Sequence, residues 1–255
     1  MKLAYREFGS GQPLIILHGL FGQSDNWNTL AKRFAEKGFH VFTIDQRNHG
    51  LSPHSPVWNY EVMAQDLKEF MDDRQLKDPV LLGHSMGGKT VLFFEYLFTG
   101  VAQKLIVADI APRAYPPHHD AVLDALNAVD FSDITTRKDA EAILSQYISD
   151  FGTRQFLLKN IYWREDETKQ MAWRFDLATI TKEYNNIGVA VPPFKSDTKT
   201  LFVRGDRSDY ITNEDEKDIA SRFSDYELQT VQNSGHWVHA EQPEAFFNRV
   251  MGFIA

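Results

Sequence analysis

Ser85 stands in the run Gly83-His84-Ser85-Met86-Gly87-Gly88, directly after the apolar stretch 79–82 and before a segment of helical character. A serine with glycine two residues away on either side is the pattern of a nucleophile held in a tight strand-to-helix turn. Such a turn is strained and demands small residues, and Gly83 and Gly87 let neighbouring backbone approach without clash. The helix that follows aims its N-terminus at the hydroxyl, which favours developing negative charge. The chemistry expected of such a serine is attack on an ester-like carbonyl.

A serine hydroxyl is a weak nucleophile at neutral pH and needs a base within hydrogen-bond reach. Of the nine histidines, His236 in Asn233-Ser-Gly-His236-Trp237 ends a late strand and falls in the order serine, acid, histidine. His239, shortly after it, is the competitor. His18, in His18-Gly19-Leu20-Phe21-Gly22, reads as a turn histidine that props its loop. That loop supplies one oxyanion-binding amide and the residue after the nucleophile the other, so the expected donors are the backbone N–H groups of Leu20 and Met86. His118 and His119 are adjacent but lack clustered carboxylates, and they read as a solvated helix start, not a metal site. Neither a metal nor an organic cofactor is expected.

The acid has two candidates. One slot lies just past the strand that ends at Arg204; counted from Gly205 it holds Ser208, flanked by Asp206 and Asp209. The other is Asp109, at the end of the preceding strand-like run. Pattern alone leaves Asp109 and Asp209 equally placed.

These residues must be held by a framework. Residues 13–18, 39–44, 79–82, 104–108, 200–204 and 226–231 read as strands, several of them apolar enough to be buried on both faces. Helices alternate with them. Ser24 is expected to cap a helix presenting Trp27, Leu30 and Phe34, with Gly38 ending it, and Asn59 a helix presenting Met63, Leu67, Phe70 and Met71. A last helix opens at Pro243. This alternation predicts a parallel sheet with helices on both faces. From Pro112 to about Lys195 the periodicity is helical, with no convincing strand; helices are expected near 120–129, 136–149 and 153–159, the middle one opened by a capping-box-like Thr136-Arg-Lys-Asp139. The expected organisation is an α/β core of residues 1–111 and 196–255 with an inserted helical cap, 112–195. Tyr162, Trp163, Trp173 and Phe175 either glue the cap to the sheet or line an apolar channel.

Composition is that of a globular chain: 255 residues, 43% hydrophobic and 24% charged. The net charge of −8 argues against nucleic acid as a partner. The absence of cysteine excludes disulfides and thiol nucleophiles. The first residues meet charge at once, and no apolar run is long enough to span a bilayer, so the expected setting is the cytoplasm, without membrane insertion, as a monomer or small homo-oligomer.

The elbow, His18-Gly19, Asp45-Gln-Arg47-Asn-His49-Gly50 and Gly235-His236-Trp237 together resemble the α/β-hydrolase superfamily across nearly the whole chain. The resemblance is closer to YbfF-type esterases and their abhydrolase-domain relatives, through Gly83-His-Ser-Met-Gly-Gly-Lys-Thr90, Asp109-Ile-Ala-Pro-Arg113, Gly205-Asp-Arg-Ser-Asp-Tyr-Ile211 and Gly235-His-Trp-Val-His-Ala-Glu241. It implies the α/β-hydrolase fold, with a mostly parallel central sheet flanked by helices. It also implies Asp109 as the acid, with Ser208 in hydrogen-bond support of Asp109 and His236. Asp206 and Asp209 beside that serine are a departure from the pattern. The implied activity is that of an esterase or thioesterase, acting on small-molecule esters or acyl-CoA-like substrates. Phe21, Arg113, Trp163 and Trp237 are the expected substrate contacts, Arg113 towards a phosphate-bearing group. A perhydrolase or acyltransferase on the same site, and a non-catalytic binding homologue, are the alternatives; Ser85 excludes the variants that need an aspartate nucleophile.

Overall fold

The computed structural model describes residues 1–167 and 169–255. Its strands are β1 (Tyr5–Phe8), β2 (Gln12–Leu17), β3 (Phe39–Ile44), β4 (Val80–His84), β5 (Lys104–Ala108), β6 (Ile161–Trp163), β7 (Met171–Trp173), β8 (Lys199–Gly205) and β9 (Tyr226–Val231). Seven of them form one sheet in the order β1-β3-β2-β4-β5-β8-β9, parallel throughout except for β1 at the edge. Strand side chains alternate between faces, and both faces are covered. Ile15, Leu17, Leu81, Leu105, Val107 and Phe202 point to one core, and Leu14, Ile16, Leu82, Ile106, Leu201 and Val203 to the other.

The helices supply those layers. α1 (Asn28–Glu36) buries Leu30, Ala31 and Phe34 on one face of the sheet. α2 (Tyr60–Asp73) and α3 (Met86–Leu97) cover the other. Asn59 caps α2 as expected, its side chain accepting the Val62 N–H at 3.0 Å. Ser24 does not cap α1; it opens a 3-10 turn, Ser24–Trp27, in which Gln23 and Asn26 form the capping box.

Between β5 and β8 the chain leaves the sheet and forms α4 (Asp120–Asn127), α5 (Arg137–Leu144), α6 (Phe151–Leu158) and α7 (Leu177–Lys182). Thr136 and Asp139 make the expected reciprocal capping box of α5. The expectation of no strand here is corrected by β6 and β7, which pair antiparallel from Ile161↔Trp173 to Trp163↔Met171. Three-residue strands are too short for alternation to register. α8 (Asp215–Arg222), α9 (Val238–Glu241) and the edge strand β1 were likewise not expected; α10 (Pro243–Ile254) opens on its proline as expected. No helix among the described residues is long and apolar enough to cross a membrane.

Parallel strands end on the same edge of the sheet. Successive tips are stitched there: Ser85 N–H donates to Ala108 O (2.9 Å), Asp109 N–H to Val203 O (2.8 Å) and Asp206 N–H to Val231 O (3.0 Å). Ser85 and Asp109, two of the candidate site residues, lie at this edge.

Candidate active site

Ser85 follows β4 and precedes α3 with φ 53° and ψ −116°, a left-handed conformation that costs a non-glycine residue of order 1–3 kcal/mol. The glycines around it are required by contact. A Cβ on Gly83 would lie 2.2 Å from Gly87 O, and one on Gly87 would lie 2.4 Å from Leu17 O. The turn therefore projects the hydroxyl at the sheet edge.

His236 Nε2 lies 2.9 Å from Ser85 Oγ, and its Nδ1 lies 2.7 Å from Asp109 Oδ2. The carboxylate accepts from Nδ1–H, which leaves Nε2 to accept the serine proton. Asp109 is fully buried, also has positive φ (53°), and accepts Gly205 N–H at 3.2 Å. The Ser208 hydroxyl donates to Asp109 Oδ2. Asp209, the other candidate acid, is exposed, and the bond it makes is through its backbone oxygen to Arg113. Asp206 accepts Ser234 N–H at 3.0 Å and braces the loop before His236. His239 lies away from Ser85, stacked on Trp27 at 4.2 Å.

Burial pushes the Asp109 carboxyl up to about 6, against the Ser208 and Gly205 hydrogen bonds that favour its ionised form. Burial pushes His236 down to about 3, with His118 a lesser cause. The two groups are in contact and share their titration, so proton uptake belongs to the pair. The direction that follows from burial is a neutral imidazole beside a carboxylate at neutral pH.

The other histidines hold the scaffold. His18 Nε2 accepts Gln46 N–H at 3.0 Å, so Nδ1 carries the proton and faces Gly19 O at 2.8 Å. It props the loop, as expected. His49 accepts Phe21 N–H in the same way, at 3.2 Å. His84 Nε2–H donates to His236 O at 2.8 Å and anchors that residue's backbone. Burial lowers His18 to about 4 and His49 and His84 to about 3, so all are neutral. Among the described residues the Leu20 and Met86 amides donate to no protein group, and both residues line the cavity beside Ser85.

Two cavities meet at Ser85. One, of about 290 Å³, is largely apolar, with Tyr60, Ile110, Tyr115, Ile187, Val189 and Tyr210 in its wall. The other, of about 640 Å³, is more polar and is bounded by Asn26, Arg137, Gln155, Lys159, Trp237 and His239 among others. Leu20, Ser85 and His119 are common to both.

Of the expected substrate contacts, Trp237 borders the polar cleft, 4.8 Å from the Phe156 ring. The other three lie elsewhere. Phe21 is buried against Phe175 at 5.0 Å, where it docks the helical excursion. Arg113 pairs with Asp215 at 2.8 Å and covers the Tyr115 ring. Trp163 is 56% exposed on the outer surface. His118 and His119 stand at the start of α4, His118 exposed and His119 half-buried, and both also border the apolar cavity and meet the Tyr210 and Tyr184 hydroxyls. No cluster of three metal-ligating side chains occurs among the described residues.

Sequence reasoning assigned no role to Tyr210, whose ring lies parallel to the His236 imidazole at 3.7 Å. Its place two residues after Ser208 was the available signal. His84, beside the nucleophile, also went unassigned.

A model of the Alpha/beta hydrolase family matches residues 14–249. The chain belongs to that family. It is 36% identical over 248 residues to Esterase YbfF of Escherichia coli (strain K12), a match covering 96% of this chain and 94% of that one. It is 37% identical over 251 residues to sn-1-specific diacylglycerol lipase ABHD11 of Mus musculus, covering 95% and 80%. Among solved structures, one described as a marine microorganism esterase superposes with a TM-score of 0.95 at 41% identity over the whole of both chains. The α/β-hydrolase is thus related to YbfF-type esterases, and it is a hydrolase of the esterase and lipase type.

Proposed function

We propose that this esterase-type hydrolase cleaves carboxylic esters or thioesters through an acyl intermediate on Ser85. The observation that carries this is the unbroken hydrogen-bonded line from Ser85 Oγ through His236 to Asp109. Ser85 Oγ attacks the carbonyl carbon while His236 Nε2 takes its proton, and Asp109 stabilises the imidazolium. The Leu20 and Met86 amides bind the oxyanion. On collapse, Nε2–H protonates the departing alcohol or thiol. Water, deprotonated by the same nitrogen, then releases the acid. Ser208 keeps the carboxylate turned towards the imidazole.

In this reading each cavity receives one end of the substrate. The acyl chain enters the smaller, apolar one beneath a cap formed by residues 112–195, and the leaving group occupies the polar cleft. Arg137 and Lys159 on that side suit an anionic leaving group such as the phosphates of an acyl-CoA-like thioester. The size of the cleft favours a second reading, acyl transfer to a bound alcohol. A relative 30% identical over 264 residues, from Saccharomyces cerevisiae (strain ATCC 204508 / S288c), is named Probable alcohol acetyltransferase. Turnover of a series of nitrophenyl esters and acyl-CoAs, with and without added alcohol, separates these readings. Ser85→Ala should abolish turnover and labelling by a fluorophosphonate; near-full activity in that variant would sink the mechanism.

A further inference from the structure

The helix that begins after Ser85 carries a lysine that the hydrolytic cycle does not use. Lys89 sits one turn into α3 and is 0% exposed. Its Nζ donates to the backbone oxygens of Pro112 (3.3 Å), Arg113 (2.5 Å) and Val189 (3.2 Å). The first two belong to the stretch by which the chain leaves the sheet after β5, and the third to the stretch by which it returns to β8. These stretches also pair directly: Tyr115 N–H donates to Gly188 O and Val191 N–H to Pro112 O, at 2.8 Å each. Gly188 is obligatory there, because a Cβ would lie 2.6 Å from Tyr115 O. The Lys89 Nζ also faces the Tyr115 ring, 4.9 Å from its centroid.

This neck is one wall of the apolar cavity, to which Tyr115, Gly188 and Val189 all contribute. The Tyr115 hydroxyl donates onward to Tyr210 O, the residue stacked on His236. One buried cation on the nucleophile's own helix therefore ties together both chain crossings that shape the acyl side of the site.

We propose, building on the esterase reading above, that Lys89 is a positioning residue for the acyl group: its ammonium clasps the two crossings and thereby fixes the wall against which the chain packs. An ammonium has three N–H donors for the three carbonyls, whereas a neutral amine has two. The clasp is complete when Lys89 is protonated and loses one bond when it is not. The charged groups facing it are Arg113 and Arg222, opposed by Asp215 and Asp218. Each arginine is paired with one of those aspartates, at 2.8 Å and 2.9 Å. Tyr115, the titratable ring beside it, is pushed well up by burial and stays neutral. Burial, with Arg113 next, pushes Lys89 down to about 7. The clasp therefore loosens as pH rises through neutrality.

The test is steady-state kinetics on nitrophenyl acetate and nitrophenyl hexanoate, for the wild type, Lys89→Met and Lys89→Arg, with fluorophosphonate labelling of Ser85 alongside. Lys89→Met should raise KM for the hexanoate roughly tenfold with kcat within about twofold, leave the acetate nearly unchanged, and label at the wild-type rate. Wild-type KM for the hexanoate should climb between about pH 6.5 and about pH 8.5, Lys89→Met should show no such climb, and Lys89→Arg should hold KM low across the range. Unchanged hexanoate KM in Lys89→Met, a loss confined to kcat, or a pH dependence that survives the substitution would overturn the clasp. Should Lys89→Met not fold, the wild type decides: a hexanoate KM independent of pH overturns the proposal. A wild type that neither labels nor turns over the esters overturns the esterase reading, and the proposal with it.

Discussion

The ring of Tyr210 lies flat on the imidazole of His236, with centroids 3.7 Å apart and planes 18° from parallel. Stacking of this kind holds the base in the plane that serves both Ser85 and Asp109, and small displacements of a catalytic group cost rate steeply. Tyr210→Ala should therefore lower kcat about 10- to 100-fold on an activated ester. Tyr210→Phe keeps the ring, loses the hydroxyl that meets His118, and should stay within a few-fold of wild type. Equal losses in the two variants would place the effect in the hydroxyl instead of the stack.

Asp109 and Asp209 make opposite predictions. Asp109→Asn should lower kcat by roughly 10⁴, because the wrong tautomer of His236 is then held. Asp209→Asn should be nearly silent, since its side chain is exposed. Ser208→Ala removes a hydrogen bond to a buried carboxylate, worth about 1.5–3 kcal/mol, and should cost an intermediate 10- to 100-fold. A side-by-side rate comparison of the three variants checks the ranking.

In the proposed mechanism the Asp109–His236 pair works with the carboxylate ionised and the imidazole neutral. Burial raises Asp109 to about 6 and lowers His236 to about 3, so the first proton that arrests the base enters the pair near pH 6 as pH falls. A plot of kcat/KM for nitrophenyl acetate, whose short acyl group does not report on the Lys89 clasp, should fall about tenfold per pH unit below that point and be level above it.

The same shift has the opposite sign for stability. A carboxyl whose folded pKa is raised favours folding while it is protonated, and that contribution is lost as pH climbs from the ordinary 3.8 through about 6. At pH 8 the ionised Asp109 is thus a cost to folding. Asp109→Asn should be at least as thermally stable as wild type there while nearly inactive, a trade between stability and function readable by calorimetry.

Stability also rests on a buried pair outside the site. Arg47 donates to both carboxylate oxygens of Asp66, at 2.6 Å and 2.9 Å, and to Val57 O at 2.6 Å. Asp66→Ala leaves the guanidinium without its counter-charge and should cost about 3–5 kcal/mol in urea unfolding. A loss under about 1 kcal/mol would mean that water reaches Arg47.

Ser85 was legible because its requirement is local: glycines at fixed offsets between a strand and a helix. His236 was legible from chain order, and the parallel sheet from alternating segments. The acid was not fixed by local pattern, since Asp109 and Asp209 both follow strand ends. What separates their placements is that the β5 and β8 tips are neighbours, a relationship formed across 96 residues of chain between Asp109 and Gly205. The placing of Tyr210 on His236, and of His118 and His119 at the rim of the cavity, is likewise a product of tertiary packing. Trp163 misled for the complementary reason: its composition suggested a lining residue, and its short strand turns it outward. The positive φ of Phe21 leaves no mark in residue type, because bulky aromatic side chains rarely adopt it.

The two cavities meet at Ser85 and, among the described residues, share only Leu20, Ser85 and His119 in their walls, so in the proposed reading each takes one half of the substrate. Selection can therefore act on each half of the substrate separately. Substitutions around Tyr60 or Ile187 would retune the acid released, and substitutions around Gln155 or Lys159 would retune the group expelled, with little interference between them. A lineage built on this chain can change one preference while the other is held constant, which lets new ester specificities arise by single steps without passing through an inactive intermediate.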